Sequence, residues 1–357
     1  MKSYRVIGIM SGTSLDGLDL AYCEFHLNKG KWSFQIKKAE TISYETPWKE
    51  RLLNLPKQSA LQFVQTHTDY GHFIGQQVRE FIEKHNLQAD FISSHGHTVF
   101  HQPEKGFTSQ IGDGSAIAAE TGLDIVCDFR SLDVAHKGQG APLVPIGDRL
   151  LFAEFDYCLN LGGFANISYK ENEKTLAFDI APANIAFNFF AKKRGYDYDK
   201  DGHIAASGTL IPDLLYRLNK LDYYQIKGSK SLGREWLESE FLTLIRDTYA
   251  VEDVLHTLVV HTSEQIAKAL EHTTNQNKKI LITGGGAYNA FLIKQLKEKL
   301  PIEIVIPSPE IIDFKEALIF AFLGVLRIEN QVNILKEVTG ASQNSIGGAL
   351  YKGNRRS

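Results

Sequence analysis

The sequence predicts an α/β protein made of two similar lobes in series, and three observations carry that reading. Three strand-like runs followed by alternating helices and strands occur twice along the chain. A glycine-bearing turn follows the first strand of each half, Gly12–Gly17 in the first and Gly162-Gly163 in the second. At 357 residues the chain suits two domains of ordinary size better than one. Twin α/β lobes commonly frame a cleft, and ligands favour domain interfaces.

Along the first half, Tyr4–Met10, Leu18–Phe25 and Trp32–Ile42 read as strands. In Leu61–Lys84, Phe63, Tyr70, Phe73, Ile74, Val78, Phe81 and Ile82 recur at helical spacing, and Lys84-His85-Asn86 suits the helix end. Phe91-Ile92-Ser93 is a short strand running into a turn, His95-Gly96-His97. Asp113 reads as the N-cap of a helix, Ser115–Glu120, stopped by Gly122, and Asp124–Cys127 as a strand. In the second half, strands at Tyr157–Leu161, Asn166–Tyr169 and Leu176–Asp179 precede a helix from Pro182 to Lys192. Then come a helix (Val254–Glu271), a strand (Lys279–Thr283), a helix (Asn289–Lys299), a strand (Glu303–Ile306) and a helix (Phe314–Arg327). The boundary falls in Ala135–Asp156, where Gly138, Gly140, Pro142 and Pro145 crowd together. We place lobe I at residues 1–137 and lobe II at 138–357, with a tail from about 335 that packs back towards lobe I, and take Gly138 and Gly140 as hinge residues.

Composition narrows the function. A net charge of −3 gives no basic bias, so neither nucleic acid nor anionic membrane is implied as a partner. No apolar run approaches the ~20 residues that span a bilayer, and the N-terminus lacks signal-peptide features, which points to the cytoplasm. Cys23, Cys127 and Cys158 sit in apolar runs at no metal-ligand spacing and read as buried thiols.

The chemistry gathers at three turns. In Ser11-Gly12-Thr13-Ser14-Leu15-Asp16-Gly17-Leu18-Asp19, Gly12, Thr13 and Ser14 offer backbone N–H groups and hydroxyls to phosphate oxygens. Asp16 and Asp19 suit magnesium held through water. Around Gly162-Gly163 the backbone is open to close approach, and Phe178-Asp179 sets a carboxylate at a strand end before Pro182 opens a helix whose first N–H groups attract anions. Gly284-Gly285-Gly286, between a strand and a helix, suits a flat ring lying on bare backbone. His95, His97 and His101 invite a zinc reading, but no fourth ligand is apparent, and substrate contact or a satisfied loop histidine is preferred.

SGTSLDGLD, LNLGGFANIS and ITGGGAYN resemble the two phosphate turns and the adenosine turn of the sugar-kinase, heat-shock-ATPase and actin superfamily. With GQGAPLVP and further matches nearly end to end, the chain resembles the anhydro-N-acetylmuramic acid kinases. The resemblance implies a duplicated ribonuclease-H-like (actin-like ATPase) fold with ATP in a central cleft, Mg2+ as companion, and dimers as a common assembly. It implies a reaction in which water opens the anhydro bridge of the sugar and the freed 6-oxygen is phosphorylated, giving N-acetylmuramic acid 6-phosphate and ADP in cell-wall recycling. By position, Asp179 is the general base and Glu316 helps orient the reacting groups. Gly12, Thr13, Ser14, Asp16, Gly17, Asp19, Gly162, Gly163, Asn166, Gly284, Gly285, Gly286 and Asn289 fall at ATP. His97, Thr98, Asp113, Arg130 and Asn184 fall at the sugar, with Arg130 gripping the lactyl carboxylate in preference to pairing with Asp128 or Asp133.

Five positions depart from the family pattern. Ile180-Ala181-Pro182-Ala183-Asn184 stands where the family has Thr-Gly-Pro-Gly-Asn, His97 replaces a glutamine, and Gly114 replaces a proline. These departures bear on substrate and turnover. A kinase for a related acid or amino sugar without a bridge, and a catalytically weak ATP-binding regulator, are the alternatives.

Overall fold

The computed structural model describes residues 2–12, 15–172, 174–226, 228, 230–271 and 277–354. Its strands are β1 (Lys2–Ser11), β2 (Leu18–Asn28), β3 (Lys31–Ile42), β4 (Phe91–Gln102), β5 (Phe107–Ile111), β6 (Asp124–Cys127), β7 (Tyr157–Leu161), β8 (Phe164–Glu171), β9 (Lys174–Pro182), β10 (Lys279–Thr283), β11 (Glu303–Val305) and β12 (Ala349–Tyr351). They form two sheets, β12-β6-β4-β1-β2-β3 with β5 alongside β4, and β11-β10-β7-β8-β9.

The duplication read from element order is explicit in this topology. In the first sheet β2 runs antiparallel to β1 and β3, while β4 and β6 run parallel to β1. In the second, β8 runs antiparallel to β7 and β9, while β10 and β11 run parallel to β7. The strand order 3-2-1-4-5 with only the second strand reversed therefore occurs in both sheets, the arrangement of a ribonuclease-H-like domain. The α/β duplicated fold is thus present.

The chain divides into two compact units, residues 1–151 with 314–357, and residues 152–313. The division differs from the one read in the sequence. Residues 138–151 belong to the first unit, and the chain returns to it at Phe314, inside the helix Pro309–Ile328. The glycine–proline cluster is no loose linker. Fully buried Asp133 accepts from the Gly140 N–H at 2.7 Å and from the Thr339 hydroxyl at 2.8 Å, and Gln139 N–H donates to the Thr339 carbonyl. A buried carboxylate held by charge-assisted bonds fixes this segment, which contradicts the hinge role for Gly138 and Gly140.

Within the first unit, the helix Ala60–His85 starts at a capping box between Ser59 and Gln62 and stops at left-handed Asn86. It buries Tyr70, Ile74, Val78 and Phe81 against Ile7, Ile9, Leu20 and Ile92 of the sheet. In the second unit the helix Val251–Ala269 buries Val254, Leu255, Leu258, Val259 and Ile266 in a core shared with β7, β8 and β10. Burying such side chains contributes about 1.5–3 kcal/mol each. Cys23, Cys127 and Cys158 form no disulfide, and each is buried. Among the described residues, no helix is long and apolar enough to cross a membrane.

Candidate active site

In the first unit, the parallel pairing of β1 and β4 brings the end of one beside the middle of the other. Their register shifts between Ile9 and Ser11, so that His97 stands opposite Ser11. The His-Gly-His stretch lies inside β4 and not on a turn. Gly96, left-handed at φ +74°, forms the irregularity that hid the strand in the sequence. Beyond Ser11 the chain turns through Gly12, whose carbonyl accepts from Leu15 N–H, to exposed Asp16 and then β2. Thr13 and Ser14 lie outside the described residues. Asp19 stands on β2 opposite Met10 and Thr41, and its Oδ1 accepts from the Thr41 hydroxyl at 2.6 Å.

Arg130 is tied to neither Asp128 nor Asp133. Asp128 accepts from Ser131, and Asp133 is spent on Gly140 and Thr339. Instead, the Arg130 Nε–H donates to His95 Nε2 at 3.0 Å, while His95 Nδ1 meets the Gly96 carbonyl at 2.9 Å. A ring that gives one nitrogen to a carbonyl and the other to a guanidinium is neutral with its proton on Nδ1. Burial and neighbouring Arg130 hold His95 well below the usual histidine range. Burial also lowers Arg130 to about 10, against the opposing pull of Glu316. With Nε fixed on a neutral partner, the guanidinium keeps its two outer nitrogens as a fork for a planar anion.

Thr98 lies on β4, and Asp113 follows the end of β5. Thr98 pairs with Gln110 across β4 and β5, its hydroxyl accepting from the Gln110 amide at 3.3 Å. Asp113 caps the helix Gly114–Thr121, accepting from the Ser115 N–H at 2.8 Å and hydroxyl at 2.7 Å. Its own N–H donates to the His67 carbonyl, and a Cβ at Gly71 would lie 2.6 Å from the Asp113 carbonyl oxygen. Glycine at that helix position therefore lets the helix Ala60–His85 hold Asp113 by its backbone. Burial pushes the Asp113 carboxyl up, but Ser115 and nearby His67 outweigh it and the carboxyl sits below the usual range.

Glu316 lies on the helix Pro309–Ile328 beside Lys315, which forms a buried ion pair with Asp148 at 3.0 Å. Solvent reaches Glu316, yet the dense protein around it raises its carboxyl, with Lys315 and Arg130 opposing and Asp148 adding to the rise.

In the second unit, the Gly162-Gly163 turn and the glycine triplet meet. Asn184 Nδ2 donates to the Leu161 carbonyl at 3.0 Å, and a Cβ at Gly286 would lie 2.6 Å from Leu161 Cβ and 3.4 Å from Asn184 Oδ1. Asn184, expected at the sugar, therefore joins the two turns expected at the nucleotide. Asn289 caps the helix Ala290–Lys299, its Oδ1 accepting from Leu292 N–H. Asn166 stands on β8 between Asn160 and Asp179.

Two local expectations are corrected. Pro182 ends β9, and the helix runs Asn184–Lys193. Its opening N–H groups are not open to anions: Ala183 and Ile185 donate to the Gly163 carbonyl and Asn184 to the Gly162 carbonyl. The hairpin turn is itself the helix cap. Asp179, moreover, lies within β9 and not at its end. The β8–β9 register shifts between Ala165 and Asn166, leaving Ile180 as an extra residue next to Asp179. Such bulges re-aim a neighbouring side chain.

Asp179 is strapped by a segment that the sequence reading passed over. Its N–H donates to the Lys230 carbonyl at 3.0 Å, its carbonyl accepts from the Tyr223 hydroxyl at 2.6 Å, and Oδ2 accepts from Leu232 N–H at 2.8 Å. Oδ1 accepts no hydrogen bond among the described residues. Burial raises its carboxyl, only partly offset by the Leu232 N–H. Gly233-Arg234-Glu235, which resembles the family's sequence at this point, directly follows the strap and is the signal that the sequence offers for it.

Two ribonuclease-H-like units, with glycine turns at matching strand ends and a half-tied carboxylate beside one of them, define the actin-like class of ATP-using phosphotransferases. The chain matches the family model described as anhydro-N-acetylmuramic acid kinase over residues 4–353, and it belongs to that family. It is 35% identical over 365 residues to the anhydro-N-acetylmuramic acid kinase of Pseudomonas fluorescens (strain Pf0-1), covering 97% of this chain and 98% of the relative. It is 36% identical over 367 residues to that of Vibrio cholerae serotype O1, covering 97% of both chains. Against that of Francisella tularensis subsp. novicida it is 34% identical over 378 residues, covering 98% of this chain and 99% of the relative. Family membership makes it an ATP-dependent sugar kinase.

Proposed function

We propose that the chain opens 1,6-anhydro-N-acetylmuramic acid with water and phosphorylates the freed 6-oxygen from ATP, releasing N-acetylmuramic acid 6-phosphate and ADP. The water oxygen bonds to the anomeric carbon as the C1–O6 bond breaks. O6 then bonds to the γ-phosphorus as the bond to the ADP oxygen breaks, and the water proton passes to Asp179. The setting of Asp179 carries this reading. One oxygen is fixed by Leu232, the other is open to a proton, and burial brings the carboxyl closer to neutrality, as a general base requires.

Arg130, held by His95, grips the lactyl carboxylate with its outer nitrogens. His97, Thr98 and Asp113 orient the sugar's hydroxyl and acetamido groups. Glu316, its carboxyl raised, helps orient the reacting groups beside Arg130. Gly12, Thr13, Ser14, Gly17, Gly162, Gly163 and Asn166 attend the phosphates, and Gly284, Gly285, Gly286 and Asn289 the adenosine. The contacts of Asn184 favour the nucleotide side for it as well.

Asp16 and Asp19 fit a hydrated magnesium ion. Asp16 is exposed on the turn, and no cluster of three or more His, Cys, Asp or Glu able to cage a metal occurs among the described residues. That donor set suits an ion that keeps its waters and shares phosphate oxygens. When bound, it neutralises phosphate charge. The enzyme acts in the cytoplasm on a recycled wall sugar.

One observation favours a second reading, a related acid or amino sugar without a bridge: the bulge at Ile180 places an apolar side chain beside the base. ADP release with 1,6-anhydro-N-acetylmuramic acid, compared with a panel of unbridged acid and amino sugars, decides between them. The anhydro sugar is expected to give the highest kcat/KM, and turnover confined to an unbridged sugar would favour the second reading.

A further inference from the structure

Ser11, Tyr44, Tyr70 and His97 form a sealed line of polar groups in the first unit, exposed by 1%, 4%, 0% and 4%. His97 Nδ1 lies 2.9 Å from the Ser11 hydroxyl, which lies 2.7 Å from the Tyr44 hydroxyl, itself 2.5 Å from the Tyr70 hydroxyl. Among the described residues the four side chains make no other well-formed hydrogen bond.

The line has three links, and the three hydroxyls bring one proton each. If His97 Nδ1 accepts, the three protons fill the three links. If Nδ1 carries a proton, four donors compete for three links and one buried donor has no acceptor, at a cost of about 1–3 kcal/mol. The count therefore selects one tautomer of the ring.

We propose that the Tyr70–Tyr44–Ser11 hydroxyl line fixes His97 as the neutral Nε2–H tautomer, so that it presents a donor to an acceptor oxygen of the sugar. Ser11, Tyr44 and Tyr70 are then positioning residues, acting through His97. Burial, which lowers His97 to about 4, keeps the ring uncharged at neutral pH. A glutamine here would do the same work, its carbonyl accepting from Ser11 and its amide donating onward. The ligand rests on the sugar-site reading above, whereas the tautomer does not.

The test uses full-length protein labelled with 15N-histidine. Long-range 1H–15N correlation at neutral pH reads each tautomer, with His97 assigned by the signal missing from His97→Gln. The wild type is expected to show Nδ1 bare and Nε2 protonated, and Ser11→Ala a mixture of tautomers. A protonated Nδ1 in the wild type, or an unchanged tautomer in Ser11→Ala, would overturn the hydroxyl line.

Steady-state kinetics with the anhydro sugar then read the contact. His97→Leu is expected to raise KM roughly 3- to 10-fold, and His97→Gln, which restores both an acceptor and a donor, to raise it less. Equal KM values for the two variants would overturn the sugar contact. Absence of turnover in the wild type would instead overturn the kinase reading and leave the tautomer result standing.

Discussion

Leu232 donates its backbone N–H to Oδ2 of Asp179 at 2.8 Å, so the two oxygens of that carboxylate are chemically distinct. Oδ2 is anchored, and Oδ1 accepts no hydrogen bond among the described residues. Burial raises the carboxyl above its ordinary value. Since only the ionised form acts as base, kcat/KM is expected to rise with pH through a limb above the usual carboxylate range. A pH–rate profile checks this.

The same shift predicts a stability trade. A carboxyl whose folded pKa is raised favours folding fully below its unfolded value of about 3.9, and that contribution is lost as pH rises. Asp179→Asn is therefore expected to melt higher than the wild type at pH 7, with the difference shrinking as pH falls towards 4. Equal melting temperatures at both pH values would contradict the raised pKa.

Arg130 depends on a fork geometry that lysine lacks. Arg130→Lys keeps the charge but loses the Nε donor to His95 and the planar two-pronged guanidinium. Its KM for the sugar is expected to rise roughly 10- to 100-fold, with a much smaller effect on a substrate lacking the carboxylate. Kinetics on the paired substrates measure that difference.

The Lys315–Asp148 pair is buried on both sides, with side chains 5% and 8% exposed. Lys315→Met leaves a buried carboxylate without its cation and is expected to cost about 3–5 kcal/mol. The double variant Lys315→Met/Asp148→Leu should recover much of this. Denaturant midpoints of the two variants test it.

His97 and His261 are buried neutral, their pKa values lowered by burial to about 4 and about 3. A depressed folded pKa gives stability that is present above the unfolded value near 6.5 and lost as pH falls through the folded one. For His97 the loss is on the order of 3 kcal/mol, and His97→Gln is expected to shift the acid-unfolding midpoint downward. Circular dichroism during acid titration reads it.

Much of the frame was legible because periodicity and caps act locally. The stripe Tyr70, Ile74, Val78 and Phe81 marked its helix, and Asp113 and Gly122 marked a cap and a stop. The misses follow from non-local causes. Gly96 breaks the alternation of β4, so its histidines read as a turn. The carbonyls that close the helix at Asn184 come from Gly162 and Gly163, so Pro182 looked like a helix start. His95 as the partner of Arg130, and Tyr223, Lys230 and Leu232 around Asp179, meet only through the fold. The glycine turns were visible throughout, because their composition is itself local.

The most direct measurement is ADP release from ATP and 1,6-anhydro-N-acetylmuramic acid in 18O-water, for wild type and Asp179→Asn. The wild type should place 18O at the anomeric carbon of a 6-phosphorylated product, and the variant should lose about 10²- to 10⁴-fold in rate. Undiminished turnover by the variant, or a phosphorylated product free of 18O at that carbon, would contradict Asp179 as the base that activates water.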